Sequence, residues 1–143
     1  MALEQGKRER FVIDACALIA YFNDEEGASV VTDILNRARG GEIDLYAASV
    51  NSYELYYDCL KRDAEMAQEL LSDIRELPVV VVETLDDSLM QFAGRYKTYY
   101  RLSLADSIAL GLAQQLDAYL VSSDHHEFDV IEADGAVRQY WIR

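Results

Sequence analysis

Four acidic residues stand where predicted strands end or predicted helices begin: Asp14, Glu54, Asp106 and Asp124. Asp14 interrupts residues 11–22, a run that is otherwise apolar. An ionised carboxylate that is buried without partners is costly, so Asp14 must be protonated, capped by backbone donors or bound to a cation. Helix capping explains each acid taken singly, because acids in a first helical turn satisfy free N–H groups and stabilise the helix dipole.

The elements that carry these acids alternate between strands and helices. Strands are predicted at residues 11–13, 43–50, 79–82 and 118–122, with a further edge strand at 137–142. Helices are predicted at residues 15–22, about 30–38, 53–61, 66–74, about 86–96 and 104–116. This alternation predicts a three-layer α/β/α sandwich with a mainly parallel central sheet. The continuous β-branched run at 79–82 predicts a strand that is buried on both faces.

Helix starts are marked by polar residues. Asn51 or Ser52 is a predicted N-cap, which places Glu54 in the first turn of the helix after the second strand. Ser103 is the predicted N-cap of the helix that carries Asp106 in its first turn. Both spacings are those of a capping box or its acidic variant.

The carboxyl edge of an open parallel sheet is where ligands bind in this fold class. We expect Asp14, Glu54 and Asp124 at that edge, with Asp106 within reach. Carboxylates that are brought together repel and raise one another's pKa, so a cluster of this kind predicts a divalent cation. Oxygen-only ligands suit Mg²⁺ or Mn²⁺ rather than zinc.

The chain has 143 residues with a formal net charge of −13, from 13 basic and 26 acidic residues. We expect a single domain over residues 1–143, with residues 1–10 as a flexible tail. The negative charge argues against passive binding to nucleic acid or an anionic membrane. The opening residues lack an apolar signal core and the run at 11–22 is too short to span a bilayer, which predicts a cytoplasmic location. Cys16 and Cys59 are expected to be reduced core thiols.

Four segments carry a family resemblance in their order, spacing and flanking apolar pattern: FVIDACALIAYF, NSYELYYDCL, LSLADSIALGLA and LVSSDHHEFD. Together they resemble the PIN-domain family over residues 11–141, and most of all the VapC-type toxins of toxin–antitoxin pairs. The resemblance implies an endoribonuclease that hydrolyses RNA with Mg²⁺ or Mn²⁺. It also implies that the four acids are the catalytic and metal-binding residues, with Ser122 in support. Ala15 departs from the small hydroxyl residue that often follows the first acid.

The resemblance implies partners as well. Toxins of this family are held inactive by an antitoxin peptide, and the family is usually homodimeric. A surface that includes Tyr53, Tyr56 and Tyr57 could serve the dimer, although core packing explains these tyrosines equally well.

A basic and aromatic stretch is the one sequence feature that favours RNA binding directly. Residues 88–105 contain no acid and include Arg95, Lys97 and Arg101, interleaved with Tyr96, Tyr99 and Tyr100. Cations for phosphates and rings for unstacked bases are what single-stranded RNA binding uses. The alternative is a helix end with bases that compensate its dipole and tyrosines that pack in the core.

Other interpretations stay open at this point. A catalytically silent PIN-like domain could use an acidic groove to dock a basic partner peptide. A phosphoryl-transfer domain of the receiver or haloacid dehalogenase type fits less well, because Cys16 stands where the latter needs a second acid. His125, His126 and Asp129 are expected to form a polar turn after the fourth strand.

Overall fold

The computed structural model describes residues 7–143. Its strands are β1 (Arg10–Ile13), β2 (Asp44–Ala48), β3 (Val80–Val82), β4 (Tyr119–Ser122) and β5 (Gln139–Trp141). Its helices are α1 (Ala15–Phe22), α2 (Ala28–Arg39), α3 (Ser49–Leu60), α4 (Ala64–Glu76), α5 (Asp87–Tyr99), α6 (Leu104–Gln115) and α7 (His125–Ala133). Residues 1–6 of the predicted flexible tail lie outside the described residues, and Arg10 already belongs to β1.

The central sheet has the order β3-β2-β1-β4-β5, and every pair of neighbouring strands is parallel. β1 lies in the middle, where Phe11 is in register with Leu45 on one side and Tyr119 on the other. All five carboxyl ends therefore lie at one edge. This sheet, with helices on both faces, confirms the predicted three-layer α/β/α architecture.

The alternation of side chains along β1 divides the core into two layers. Phe11 and Ile13 pack on the face that is covered by α1 to α4, whereas Val12 packs on the face that is covered by α5 to α7. Both faces of the central strand are thus buried over residues 11–13, as their apolar sequence requires.

The helix that carries Asp106 packs closely on its neighbour. A Cβ atom added at Gly111 of α6 would lie 2.7 Å from the Ala93 backbone nitrogen of α5. Glycine is therefore needed at this crossing point, where the two helices approach backbone to backbone.

Three predictions about elements are wrong. β3 is an edge strand and not one buried on both faces: Val80 is 58% exposed. A β-branched run indicates a strand but not its place in the sheet.

α3 begins at Ser49, directly after β2, so Glu54 lies beyond the first turn and Asn51 is inside the helix rather than at its cap. Residues 125–133 form helix α7 instead of a polar turn, because Asp124 caps them.

Candidate active site

Asp14 is the buried acid at the centre of the carboxyl edge. It follows β1 directly and is the N-cap of α1, where its side chain accepts a hydrogen bond of 2.9 Å from the Ala17 N–H. Its other carboxylate oxygen accepts a hydrogen bond of 2.5 Å from the Ser122 hydroxyl. Only 1% of Asp14 is exposed, and this burial raises its pKa to about 7 against the opposing effect of the two hydrogen bonds.

Ser122 connects the ends of two neighbouring strands. Besides donating to Asp14, its hydroxyl oxygen accepts a hydrogen bond of 3.0 Å from the Asp124 N–H. Asp124 in turn caps α7 by accepting from the Glu127 N–H at 3.2 Å. The end of β4 therefore presents a fully buried hydroxyl between two of the predicted acids.

Asp106 and Glu54 complete the edge from two helices. Asp106 lies in the first turn of α6, and its N–H donates to the Ser103 hydroxyl at 3.1 Å, as the capping pattern predicts. Burial, with the charges of Asp124 and Glu54, raises the Asp106 pKa to about 6. Burial also raises the pKa of Glu54, while the hydrogen bond from Asn51 Nδ2, 3.2 Å from Glu54 Oε1, lowers it.

The structure brings the four predicted acids together at the carboxyl edge of the sheet. The charges of Asp106 and Asp124 raise the pKa of Asp14, and Glu54 and Asp124 act on Asp106 in the same way.

The PIN domain family matches residues 11–133 of the sequence. The chain belongs to the PIN-domain family. The match includes all four acids and Ser122, and it ends at the last residue of α7. No curated protein sequence matches this chain significantly.

Solved structures share the fold of this PIN domain at low sequence identity. A chain of VapBC2 from Rickettsia felis, bound to a DNA fragment from their promoter, has a TM-score of 0.72 at 16% identity, with 92% of this chain and 98% of that chain covered. A chain of DNA-bound VapBC from Salmonella typhimurium has a TM-score of 0.72 at 15% sequence identity, with 94% of this chain and 99% of that chain covered. A chain of VapBC-1 from nontypeable Haemophilus influenzae has a TM-score of 0.69 at 15% sequence identity, with 93% of this chain and 98% of that chain covered.

The carboxylates of this PIN domain suit a hard cation in chemistry but do not form a closed cage. Among residues 7–143, no group of three or more Asp, Glu, His or Cys side chains already has the spacing to hold one ion. Mg²⁺ is usually bound by one or two carboxylates together with waters and substrate phosphates, rather than by a cage made only of protein. The oxygen-only donors and the buried charge of Asp14 fit a cation of this type.

Two residues near the acids were not predicted to belong to the site. The Cys16 thiol is partly buried, and burial together with the charges of all four acids raises its pKa to about 12. It is therefore a protonated thiol beside the carboxylates. Glu127 adds a further negative charge that raises the Asp106 pKa. Its position three residues after Asp124, where a capping-box acid stands, is the sequence signal that could have indicated it.

The predicted basic residues lie at the carboxyl end of α5 and in the loop that leads to α6. Arg95, Lys97 and Arg101 are all exposed. Tyr99 beside them is 78% exposed, but Tyr96 is buried and donates its hydroxyl to Gln114. Of the three predicted rings, Tyr99 is thus the one that is fully available for stacking on a base.

The ring face and both ring nitrogens of His125 make contacts within the protein. Its ring stacks on Trp141 with centroids 3.8 Å apart, and its Nδ1 lies 2.7 Å from Asp129 Oδ1. Its Nε2 lies 2.8 Å from the carbonyl oxygen of Arg143. These contacts hold α7 against the end of the chain, which gives His125 a structural role.

None of the helices between residues 7 and 143 combines the length and the apolar character that a membrane span requires.

Proposed function

We propose that this PIN domain is a divalent-metal-dependent endoribonuclease and the toxin of a VapBC-type pair. The observation that carries the proposal is the convergence of Asp14, Glu54, Asp106 and Asp124 at one edge of the sheet, with Asp14 buried. Grouped carboxylates destabilise one another in the absence of a cation, so their convergence favours a site for Mg²⁺ or Mn²⁺.

The roles of the residues follow from their burial. Asp14 and Asp106 have the most strongly raised pKa values, so they gain most from a nearby positive charge and would hold the ion directly. Glu54 and Asp124 would hold a second ion or the waters around the first. The bound metal would lower the pKa of a water and neutralise charge on the phosphate.

Ser122 would hold Asp14 and Asp124 in place during this reaction. Its donation to Asp14 favours the ionised carboxylate, which is the form that binds metal. Its acceptance from the Asp124 N–H fixes the start of α7 at the same time. It is a supporting residue, since it acts on the substrate only through the acids.

RNA is the substrate class that the exposed basic residues of α5 and of the loop after it favour. Arg95, Lys97 and Arg101 provide exposed positive charge on a chain whose total charge is −13, and Tyr99 provides an exposed ring. Single-stranded RNA is bound by such a combination of cations and stacking surfaces. The cations would oppose the repulsion between the phosphates and the acidic protein.

The proposed binding surface for an antitoxin is a groove in the helix layer formed by α1 to α4, on the other face of the sheet from α5 and α6. A groove of about 850 Å³ between α1, α2 and α4 is lined by apolar Tyr21, Phe22 and Leu77 and by acidic Asp24, Asp73 and Glu76, with Arg39 as its basic member. This lining favours a peptide with an apolar face and basic residues. If a small reading frame beside this gene encodes such a partner, charge reversal at Asp73 and Glu76 should weaken the complex.

A second copy of the chain is the proposed partner of α3. Tyr53, Tyr57 and Leu60 are 62%, 37% and 42% exposed on this helix. Tyr56 belongs to the core instead, where it packs against buried residues and accepts a hydrogen bond from Gln68. Sedimentation of the purified protein and of Tyr53→Glu would test the homodimer, which requires the variant to be monomeric.

The enzymatic proposal is tested by incubating the purified protein with an end-labelled, looped RNA. We expect cleavage with Mg²⁺ or Mn²⁺, none with EDTA, and none with Asp14→Asn. If the protein bound metal and left every RNA intact, a catalytically silent docking domain would be the better description. If the Asn variant cut as well as the parent, the site assignment would be wrong.

A further inference from the structure

Asn51 is a buried polar residue beside the acidic edge. It lies in the first turn of α3, directly after β2, and none of it is exposed. Its Nδ2 lies 3.2 Å from Glu54 Oε1, and the geometry requires the amide nitrogen there, since a carboxylate can only accept a hydrogen bond. The Asn51 amide is therefore aimed at Glu54.

The other end of the same amide is left without a partner. Asn51 Oδ1 is buried and accepts no hydrogen bond from any residue between 7 and 143. A buried unsatisfied acceptor costs about 1–3 kcal/mol, and an apolar side chain would avoid that cost. Asparagine at this position is thus unfavourable for the core and favourable only for its contact with Glu54.

Glu54 depends on this contact more than Asp14 depends on either of its own. Within residues 7–143, the hydrogen bond from Asn51 is the only one that its carboxylate receives. Asp14 in comparison is fixed by both Ala17 and Ser122. Glutamate also has one more rotatable bond than aspartate, so without Asn51 the Glu54 carboxylate would be free to turn away from the edge.

We propose that Asn51 is the positioning residue of the metal site, holding the Glu54 carboxylate toward the other acids at a cost to the stability of the fold. This inference rests on the proposed function, because it assigns Glu54 a part in binding the ion. Groups that orient metal ligands affect metal affinity by about 10- to 100-fold when they are removed.

The test is a calorimetric titration of the metal-free protein with Mn²⁺, together with thermal unfolding in EDTA. Asn51→Leu should weaken Mn²⁺ binding by about 10- to 100-fold while the unfolding temperature in EDTA stays equal or rises. Asn51→Ala is the second variant, since it cannot overpack the site. Ser52→Ala is the matched control: the Ser52 hydroxyl is also buried and has no hydrogen-bond partner among residues 7–143, and its loss should leave Mn²⁺ binding unchanged.

A double-mutant cycle separates positioning from general damage. If Asn51 acts through Glu54, Asn51→Leu should have little further effect on Mn²⁺ affinity in a Glu54→Gln background. Full additivity of the two changes, or Mn²⁺ binding by Asn51→Leu within twofold of the parent (roughly the scatter that such cycles tolerate), would overturn the inference. Should the parent chain itself bind no Mn²⁺, the proposed function would fail first, and this assignment with it.

Discussion

Ser122 and Asp14 are joined by a buried hydrogen bond between the ends of two adjacent parallel strands, β4 and β1. The bond places a hydroxyl and a carboxylate, which are far apart in the chain, at the centre of the carboxyl edge. Because Ser122 also accepts from the Asp124 N–H, it couples two of the proposed metal-binding acids. The consequences of this arrangement can be measured.

Removal of the Ser122 hydroxyl should impair metal binding and catalysis. Ser122→Ala leaves the Asp14 carboxylate with only the Ala17 N–H, so its ionised form is less favoured. We expect Mn²⁺ affinity or cleavage to fall by about 10- to 100-fold. Ser123→Ala is the control, since the Ser123 side chain makes no hydrogen bond within the described part of the chain; equal effects of the two changes would argue against the role of Ser122.

The metal-free protein should lose stability as the pH rises. The pKa of Asp14 is about 7 in the folded state against an ordinary 3.8, so the folded state keeps a proton that the unfolded state has lost. The stabilisation is complete below pH 3.8 and disappears as the pH passes 7. Denaturant unfolding in EDTA across this range checks the sign. A stability that increases steadily with pH would contradict the burial of an uncompensated Asp14.

Asp14→Asn should raise the stability of the metal-free protein and abolish its activity. The amide is neutral and almost the same shape, so above the pKa of Asp14 the metal-free variant should be more stable than the parent by an amount on the order of 2 kcal/mol. Its metal-dependent cleavage should be lost. Asp33→Asn, on the exposed face of α2, serves as control and should change neither property.

Neutralising Arg95, Lys97 and Arg101 together should weaken RNA binding. Because each phosphate contact releases counterions, loss of these cations should reduce the slope of log affinity against log salt concentration. Binding measured at several salt concentrations tests this. An unchanged slope would mean that the three residues do not contact phosphates. Tyr99→Ala should weaken binding while leaving the slope unaltered, since stacking involves no counterion.

The crossing of α5 and α6 predicts opposite effects for two glycines. Gly111→Ala should destabilise the protein by about 1–3 kcal/mol, because its Cβ would meet the Ala93 backbone, which cannot move freely. Gly94→Ala should instead stabilise it by about 1 kcal/mol, since nothing lies within 4 Å of the added methyl group in α5. Thermal unfolding of the two variants decides whether the helices pack as described.

The sequence was informative where one local signal determined one feature. The apolar run around Asp14 predicted a buried acid at a strand end, and Ser103 predicted the start of α6. The place of β3 in the sheet and the start of α3 were harder to predict, because neither is marked by a local sequence signal. The valines of β3 do not indicate that this strand lies at the edge of the sheet. Asn51 resembled an N-cap because Glu54 follows it by three residues, which is the spacing of a capping box.

The convergence of the four acids, with Ser122 beside Asp14, was predictable from the sequence, but the contact of Asn51 with Glu54 inside α3 was not. Parallel strands bring their carboxyl ends to one edge, so the four acids could be expected to meet there. The capping-box spacing from Asp124 could have indicated Glu127, but the effect of Asp106 on Cys16, and that of Glu127 on Asp106, join residues that are remote in sequence. The unpaired oxygen of Asn51 is likewise visible only once the chain is folded.

The central claim is that the grouped carboxylates form one site for a divalent cation. Anomalous diffraction from crystals soaked in Mn²⁺ measures this directly. We predict a strong peak at the carboxyl edge of the sheet, within coordination distance of Asp14 and Asp106 oxygen atoms, and its loss in Asp14→Asn. Well-ordered acids with no peak between them, or a peak elsewhere on the protein alone, would contradict the claim.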